Sequence, residues 1–81
     1  MKINVEYDKR FDKIFQKLDS NNQKAILKQI NKIIENPHIG KPMRYSRRGT
    51  REVYAKPFRI SYEYIEDELI ILFLDIYHKD K

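Results

Sequence analysis

The spacing of apolar residues changes twice along the chain, and this change limits the possible folds more than any other feature. Residues 2–7 alternate polar and apolar side chains, as a strand buried on one face does. Residues 8–36 then carry apolar side chains at helical intervals, and residues 51–77 return to alternation. The predicted order of elements is therefore β-α-α-β-β-β, in a single α+β domain that spans residues 1–81.

Two helices are predicted between the first strand and the later ones. Asp8 can cap the first helix, whose apolar residues recur every three or four positions. Ser20 and Gln23 match the capping box that begins a second helix. That helix should end before Pro37, because proline disfavours helical geometry in the residue that precedes it. Residues 37–42 should then form a loop.

Three strands, residues 51–56, 58–65 and 69–77, follow in close succession and should form an antiparallel meander. With the first strand added, the prediction is an antiparallel-rich four-stranded sheet with the two-helix hairpin on one face. The other face would be open and polar, with Arg59 and Arg51 on it. Strict alternation in the last strand would add an apolar patch there, made of Leu69, Ile71 and Phe73.

Composition excludes several classes of protein. Cysteine is absent, so a disulfide scaffold, a thiol nucleophile and a cysteine–zinc site are excluded. The two histidines, His38 and His78, lie far apart in sequence, and no metal or cofactor motif is present. The longest apolar run is too short to span a bilayer, and the first residues lack an apolar signal region. We therefore expect a cytoplasmic protein without cofactor, metal or membrane partner.

The net charge of +5 is concentrated in residues 40–60, where Glu52 is the one acid among seven basic residues. Most of those bases are arginine, whose planar donor fork suits phosphate. A solvated basic surface is the plainer interpretation, and a nucleic-acid site is the favoured one. Tyr54 lies among these bases and can stack on a nucleobase. The candidate RNA-binding residues are Arg44, Arg47, Arg48, Tyr54 and Lys56.

Several short patterns, taken in order, resemble the RelE/ParE superfamily of toxin–antitoxin toxins over essentially the whole chain. The interval from Gly49 to Arg59 also matches that family. The resemblance implies a RelE-like fold. The matching segments are Asn36-Pro37, Gly40-Lys41-Pro42-Met43, Gly49-Thr50-Arg51-Glu52-Val53, Phe58-Arg59-Ile60-Ser61-Tyr62-Glu63 and Asp75-Ile76-Tyr77-His78-Lys79-Asp80.

The resemblance is to the RelE branch of this family, and it implies a metal-independent endoribonuclease. Such an enzyme cuts messenger RNA on the ribosome and is neutralised by a cognate antitoxin. Arg59 would then stabilise the phosphate charge that develops as the 2′-hydroxyl attacks. Arg51 would clamp the same phosphate, His78 would act as general acid, and Lys79 would be the basic residue that follows it. The antitoxin would cover the open face and its apolar patch.

The chain departs from the family pattern at several positions. Many ribonuclease members carry lysine or arginine where this chain has Glu52 and Tyr54, and their C-terminal segment with a catalytic tyrosine has no counterpart after Lys81. The general base stays open among Glu52, Tyr54 and His78. Two alternatives to the enzyme also stay open: a ParE-like toxin that inhibits a topoisomerase by binding, and an RNA-binding module without toxicity.

Overall fold

The computed structural model describes residues 2–79. The predicted helices and strands form in the predicted order, and one short strand is added to them. Two 3-10 turns, Tyr45–Arg47 and Glu66–Glu68, complete the set. The elements are β1 (Asn4–Tyr7), α1 (Lys9–Lys17), α2 (Ser20–Glu35), β2 (Lys41–Pro42), β3 (Arg51–Ala55), β4 (Phe58–Ile65) and β5 (Ile70–His78).

The strands form one mixed sheet in the order β1-β5-β4-β3-β2. β1 runs parallel to β5, and the other neighbouring strands are antiparallel. The α+β class and the helix pair beside the sheet are confirmed. The sheet has five strands in residues 2–79 rather than the predicted four, because Lys41 and Pro42 pair with the start of β3 inside the segment predicted as a loop.

Side-chain caps fix where the helices begin. Asp8 caps α1 as predicted, its carboxylate accepting the backbone N–H two residues further on at 2.8 Å. The cap of α2 is Asp19 rather than Ser20, so the predicted capping box is one residue out. The Gln23 side chain instead donates to the backbone carbonyl of Phe15 at 2.9 Å and so ties α2 to α1.

The hydrophobic core lies between the helix pair and one face of the sheet, which we call the covered face. The alternation predicted for β4 is confirmed, since Ile60 and Tyr62 are fully buried there. Burial of each large apolar side chain contributes about 1.5–3 kcal/mol. The buried hydrophobic residues are Phe11, Ile26, Ile30, Ile33, Ala55, Ile60, Tyr62, Ile71, Phe73 and Ile76.

A β-bulge divides β5 into two parts with opposite parity. Its pairing with β4 shifts by one residue and leaves Leu74 without a partner. Before the bulge, Ile71 and Phe73 point into the core. After it, the buried residue is Ile76, and Asp75 faces the other way. The bulge therefore keeps an apolar residue in the core at each end of a long strand.

The face of the sheet opposite the helices, which we call the open face, carries an apolar patch, but not the predicted one. Ile71 and Phe73 are each 0% exposed on the covered face, so their assignment to the open face is wrong. The cross-strand register instead brings Ile65 opposite Ile70 on the open face, with Leu72 beside them, and all three are partly exposed.

The loop between α2 and β2 is fastened to the covered face by Tyr62. Its hydroxyl donates to the carbonyl of Pro37 at 2.7 Å and accepts from the N–H of Gly40 at 2.9 Å. A Cβ atom on Gly40 would lie 2.5 Å from that hydroxyl, so a side chain there requires the loop to move. Tyr62 thus sets the position at which the chain enters β2.

Candidate nucleic-acid interface

A row of three side chains crosses the open face from β3 to β5. Tyr54 is paired with Arg59 across β3 and β4, and Arg59 is paired with Tyr77 across β4 and β5. Directly opposed residues share a face of a sheet. Neighbouring Glu52, which is paired with Ser61, therefore also lies on the open face. Strand register alone brings these residues together from three separate parts of the sequence.

The row adjoins an open cleft of about 640 Å³. Its floor comes from the sheet, and its walls come from the segment after β2 and from the end of β5. Four bases and one acid line it, which suits a ligand with phosphate groups. The lining residues are Lys41, Pro42, Met43, Arg44, Tyr45, Glu52, Arg59, Tyr77 and Lys79.

A buried carboxylate organises the floor of the cleft. Glu52 is 5% exposed, and its Oε2 accepts hydrogen bonds from Arg47 Nη1 at 2.9 Å and from the Tyr77 hydroxyl. Arg59 Nη1 lies 3.8 Å from the other carboxylate oxygen. A buried charge is tolerated only when it is paired and hydrogen-bonded, and these partners meet both conditions. We call Glu52, Arg47, Arg59 and Tyr77 the Glu52 cluster.

Tyr77 holds Arg47 in two ways. Arg47 Nη1 also donates to the Tyr77 hydroxyl at 2.9 Å, and its guanidinium lies 5.3 Å from the ring centroid. Burial, followed by the hydrogen bond to Glu52, raises the pKa of Tyr77, and the hydrogen bond to Tyr77 raises the pKa of Arg47. Both groups therefore keep their protons at neutral pH. The phenol acts as a donor to Glu52 rather than as a phenolate.

Tyr54 lies between two cations beside the cleft. The Arg59 guanidinium is 5.6 Å from its ring centroid, and Lys79 Nζ is 5.2 Å from it. Both distances are within the range of cation–π attraction. The ring is nevertheless exposed over part of its surface. An aromatic surface flanked by positive charge is the arrangement that single-stranded nucleic acids bind.

The structure brings together five of the nine residues that the sequence nominated. Arg59, Lys79 and Arg44 line the cleft, Arg47 belongs to the Glu52 cluster, and the ring of Tyr54 lies beside both Arg59 and Lys79. Two further nominees, Arg48 and Lys56, are exposed in turns at either end of β3 rather than among the residues that line the cleft.

Arg51 lies on the covered side of the sheet, so its predicted place on the open face is wrong. It is paired with buried Tyr62 in the β3–β4 register. Its guanidinium donates to the carbonyls of Gly40 at 2.8 Å and His38 at 3.1 Å. These contacts support the loop before β2 and separate Arg51 from Arg59.

His78 does not share the open face with Arg59 either. It is paired with Phe58, which packs against the core, and the two rings meet edge to face with centroids 5.8 Å apart. Without the extra residue Leu74, alternation from Phe73 would put His78 on the open face. The bulge reverses the parity, so the residue facing the cleft is Tyr77.

Two residues at the centre of the site were not assigned this place by the sequence. Tyr77 was given no role, although the alternation that assigned Leu69, Ile71 and Phe73 to the open face implies the same face for Tyr77. Glu52 was named as one possible base, and its isolation among seven bases in residues 40–60 was a signal that it pairs with them. Within residues 2–79, no group of three or more His, Asp or Glu side chains is arranged to hold a metal ion. No helix there is long and apolar enough to cross a bilayer.

The fold and the site define a small α+β protein with a basic cleft on an open sheet face. The chain matches the family model "ParE toxin of type II toxin-antitoxin system, parDE" over residues 3–81. It is 34% identical over 80 residues to a Methanocaldococcus jannaschii protein named as a toxin, RelE4, and the match covers 94% of this chain and 85% of that one. The chain belongs to the RelE/ParE family of toxins of type II toxin–antitoxin systems.

Solved structures show the same fold at low sequence identity. A chain of the RelBE2 toxin–antitoxin complex from Mycobacterium tuberculosis superposes with a TM-score of 0.85 at 18% identity, over 98% of this chain and 100% of that one. A chain of the intact Escherichia coli RelBE complex gives 0.83 at 16% identity, over 99% and 100%. The archaeal RelE–RelB complex from Pyrococcus horikoshii gives 0.79 at 15% identity, over 100% and 99%. The predicted resemblance to the RelE/ParE superfamily is confirmed.

Proposed function

We propose that this toxin is an endoribonuclease that cuts messenger RNA on the ribosome and so inhibits translation. The observation that carries the proposal is the position of Arg59. Its side chain is 34% exposed, on the floor of a basic cleft and 3.8 Å from a carboxylate that a phenol also contacts. A phosphate binder beside a hydroxyl–carboxylate pair has the groups that attack by a ribose 2′-hydroxyl requires.

Arg59 is proposed to hold the scissile phosphate, together with Arg44 and Lys79 in the walls of the cleft. As O2′ bonds to phosphorus and the P–O5′ bond breaks, negative charge builds on the phosphate oxygens. Fixed cations stabilise that charge in the transition state more than in the ground state. The products would be a 2′,3′-cyclic phosphate and a free 5′-hydroxyl, and the protein's own cations supply the positive charge.

Tyr77 and Glu52 are proposed to accept the proton of the 2′-hydroxyl as a pair. The phenol oxygen takes that proton while its own proton passes to Glu52. The phenol needs this relay because its raised pKa keeps it protonated before the reaction. Lys79, which lines the same cleft, protonates the leaving O5′. This role was predicted for His78, whose side chain is on the other face of the sheet.

The experiment is inducible expression, with a readout of protein synthesis, followed by mapping of cut messages on purified ribosomes. Arg59→Ala should lower the cleavage rate about 10²–10³-fold, the usual loss when one group that stabilises an oxyanion is removed. The matched control is Arg48→Ala, which removes an arginine outside the cleft and should cut like the unaltered toxin. Equal rates for the two variants would overturn the assignment of Arg59.

The proton-accepting pair has a test of its own. Glu52→Gln keeps the size and most hydrogen bonds of the side chain but cannot take a proton, so cleavage should fall about 10²–10⁴-fold. Affinity for programmed ribosomes should change little. Cleavage by Glu52→Gln at the full rate would refute the pair as general base and leave the endonuclease proposal intact.

A second candidate function is inhibition of a topoisomerase by binding, without RNA cleavage. Two observations favour it. The matching family model is that of a ParE toxin, and the His78 side chain is on the opposite face of the sheet from Arg59. Expression would then damage DNA and leave messages intact. Normal growth would instead favour an RNA-binding module without toxicity. The same induction experiment therefore separates all three functions.

We also propose that a cognate antitoxin covers the open face. The solved relatives include toxin–antitoxin complexes, and the open face carries both an apolar patch and a basic cleft. A segment with apolar and acidic residues would complement both. Leu72→Asp should abolish neutralisation by the co-expressed antitoxin and leave toxicity in its absence. Neutralisation that survives this change would place the antitoxin elsewhere. A ribosomal target further implies a cytoplasmic location.

A further inference from the structure

Tyr45 is the most exposed large hydrophobic side chain in residues 2–79. Its exposed fraction is 89%, about twice that of Tyr54 at 45% or Leu27 at 47%. Its backbone is also unusual, with φ at +59°, in the left-handed region that bulky side chains rarely adopt. The chain thus accepts backbone strain at a position where the side chain gains almost no burial.

Leu69 shows how such strain is normally offset. It is the other residue besides glycine with positive φ in the described chain, at +54°. Leu69 ends the 3-10 turn before β5 and is partly buried, and its carbonyl accepts the N–H of Asn4 at 2.9 Å, which fastens β1 to the sheet. Those contacts compensate for the conformation of Leu69. The ring of Tyr45 has no comparable packing.

The segment that presents Tyr45 is held on both sides. Arg47 fixes its far end to the Glu52 cluster. The Thr50 hydroxyl donates to the carbonyl of Arg47 at 2.7 Å, and the N–H of Met43 donates to the carbonyl of Thr50 at 3.0 Å. These contacts fix the segment on either side of Tyr45, and its ring projects from that segment into solvent, as a preorganised ligand contact would.

Tyr45 and neighbouring Arg44 both line the cleft that holds Arg59. Unpaired nucleobases bind proteins by stacking on exposed aromatic rings next to phosphate contacts. We propose that Tyr45 stacks on an unpaired base of the RNA strand whose phosphate the cleft binds. This inference rests on the proposed endonuclease function and adds a base-binding subsite to its phosphate site.

Tyr45→Gly tests the inference, because it changes stability and RNA recognition in different directions. Glycine adopts positive φ without strain, so the thermal unfolding midpoint should stay the same or rise. Loss of one stacked base should raise the toxin concentration that gives half-maximal cleavage on programmed ribosomes by about 5- to 150-fold. Tyr45→Trp should leave that concentration unchanged or lower it, because the larger ring still stacks. Ser46→Gly, which loosens the same turn and keeps the ring, is the matched control.

Messages with a single abasic nucleotide identify the stacked base. At that position the difference between the unaltered toxin and Tyr45→Gly should vanish, and at the other positions it should persist. Equal half-maximal concentrations for the two proteins, or an equal loss in Ser46→Gly, would overturn the inference and leave the proposed function standing. If the unaltered toxin neither cuts messages nor binds a 2′-O-methyl oligonucleotide, both the inference and the proposed function fail.

Discussion

The two faces of the sheet are built from alternate residues of the same strands, yet their chemistry differs between the core and the cleft. The centre of the covered face is apolar, and the polar atom of Tyr62 on it is satisfied by backbone partners. The open face around the cleft consists of charged residues and tyrosines, and its buried member is a carboxylate. Stability therefore depends mainly on one face and ligand chemistry on the other, so single substitutions can separate the two.

The tyrosines Tyr62 and Tyr77 make this contrast concrete. Tyr62 lies on the covered face and Tyr77 on the open face, and the hydroxyl of each tyrosine contacts two polar groups. Tyr62 bonds to the backbone of the loop before β2, so it fixes where the chain runs. Tyr77 bonds to the side chains of Glu52 and Arg47, so it fixes where charges lie. The same residue type serves folding on one face and electrostatics on the other.

The largest effect is expected on the covered face. Phe73→Ala removes a fully buried ring from the centre of the core and should lower the free energy of unfolding by about 3–5 kcal/mol. Urea denaturation measures the change. Leu72→Ala, one residue away on the open face, is the matched control and should cost clearly less. Equal losses at the two positions would break the distinction between the faces.

Gly40→Ala should give the next largest effect on stability. The added methyl would lie 2.5 Å from the Tyr62 hydroxyl and 2.9 Å from Arg51 Cβ. Overpacking of this kind costs about 1–3 kcal/mol, which urea denaturation can measure. In the double variant Gly40→Ala with Tyr62→Phe, the hydroxyl is absent and part of the loss should be recovered. A double variant whose loss equals the sum of the single losses would refute the clash.

Arg47→Ala should separate activity from stability on the open face. Glu52 keeps Arg59 and Tyr77 as partners, and Arg47 is more than half exposed, so the free energy of unfolding should fall by only about 1 kcal/mol. Message cleavage should fall at least tenfold, because the segment that carries Arg44 loses its anchor. A variant that loses several kcal/mol would show that the Glu52 cluster is chiefly a stabilising device.

The smallest effect is a dependence of stability on alkaline pH. Burial, as the first cause, raises the pKa of Tyr7, Tyr62 and Tyr77, so the folded state keeps these phenol protons to higher pH than the unfolded state. Their contribution to the free energy of unfolding is fully present below the unfolded pKa of about 10 and is lost as pH rises above it. The urea midpoint should therefore fall less between pH 9 and pH 10.5 in Tyr62→Phe or Tyr77→Phe than it does in the unaltered chain.

Sequence patterns identified the elements that periodicity determines. β4 has the predicted bounds, Asp8 is the predicted cap, and α2 ends just before Pro37. Local rules suffice in these places because the signal lies within one turn of helix or one strand. β2 was missed because two residues are too few to carry any alternation, and because its pairing depends on where the loop before it is fastened.

The candidate site was predictable as a basic segment but not as a geometry. Arg59 was placed correctly because β4 alternates strictly. Arg51 was assigned to the wrong face because the register with Tyr62, a tertiary contact, decides its side.

His78 was expected in the cleft because of the family resemblance, although strict alternation from an open-face Phe73 puts Tyr77, and not His78, on the open face. The extra residue Leu74 gives the two halves of β5 opposite parity, so the alternation that is correct for Tyr77 is wrong for Ile71 and Phe73. An error of a single residue in a strand therefore moves a side chain to the other face of the sheet.

The parallel pairing of β1 with β5 joins the two ends of the described chain, with Val5 beside Ile71 and Tyr7 beside Phe73. During synthesis, the first strand emerges long before the partner that completes its hydrogen bonds. Its apolar side chains stay unpaired with the sheet until β5 has been made. This long separation between partners raises the contact order and slows closure of the core. A growing chain of this toxin therefore cannot complete its sheet, or the cleft upon it, until β5 has been synthesised.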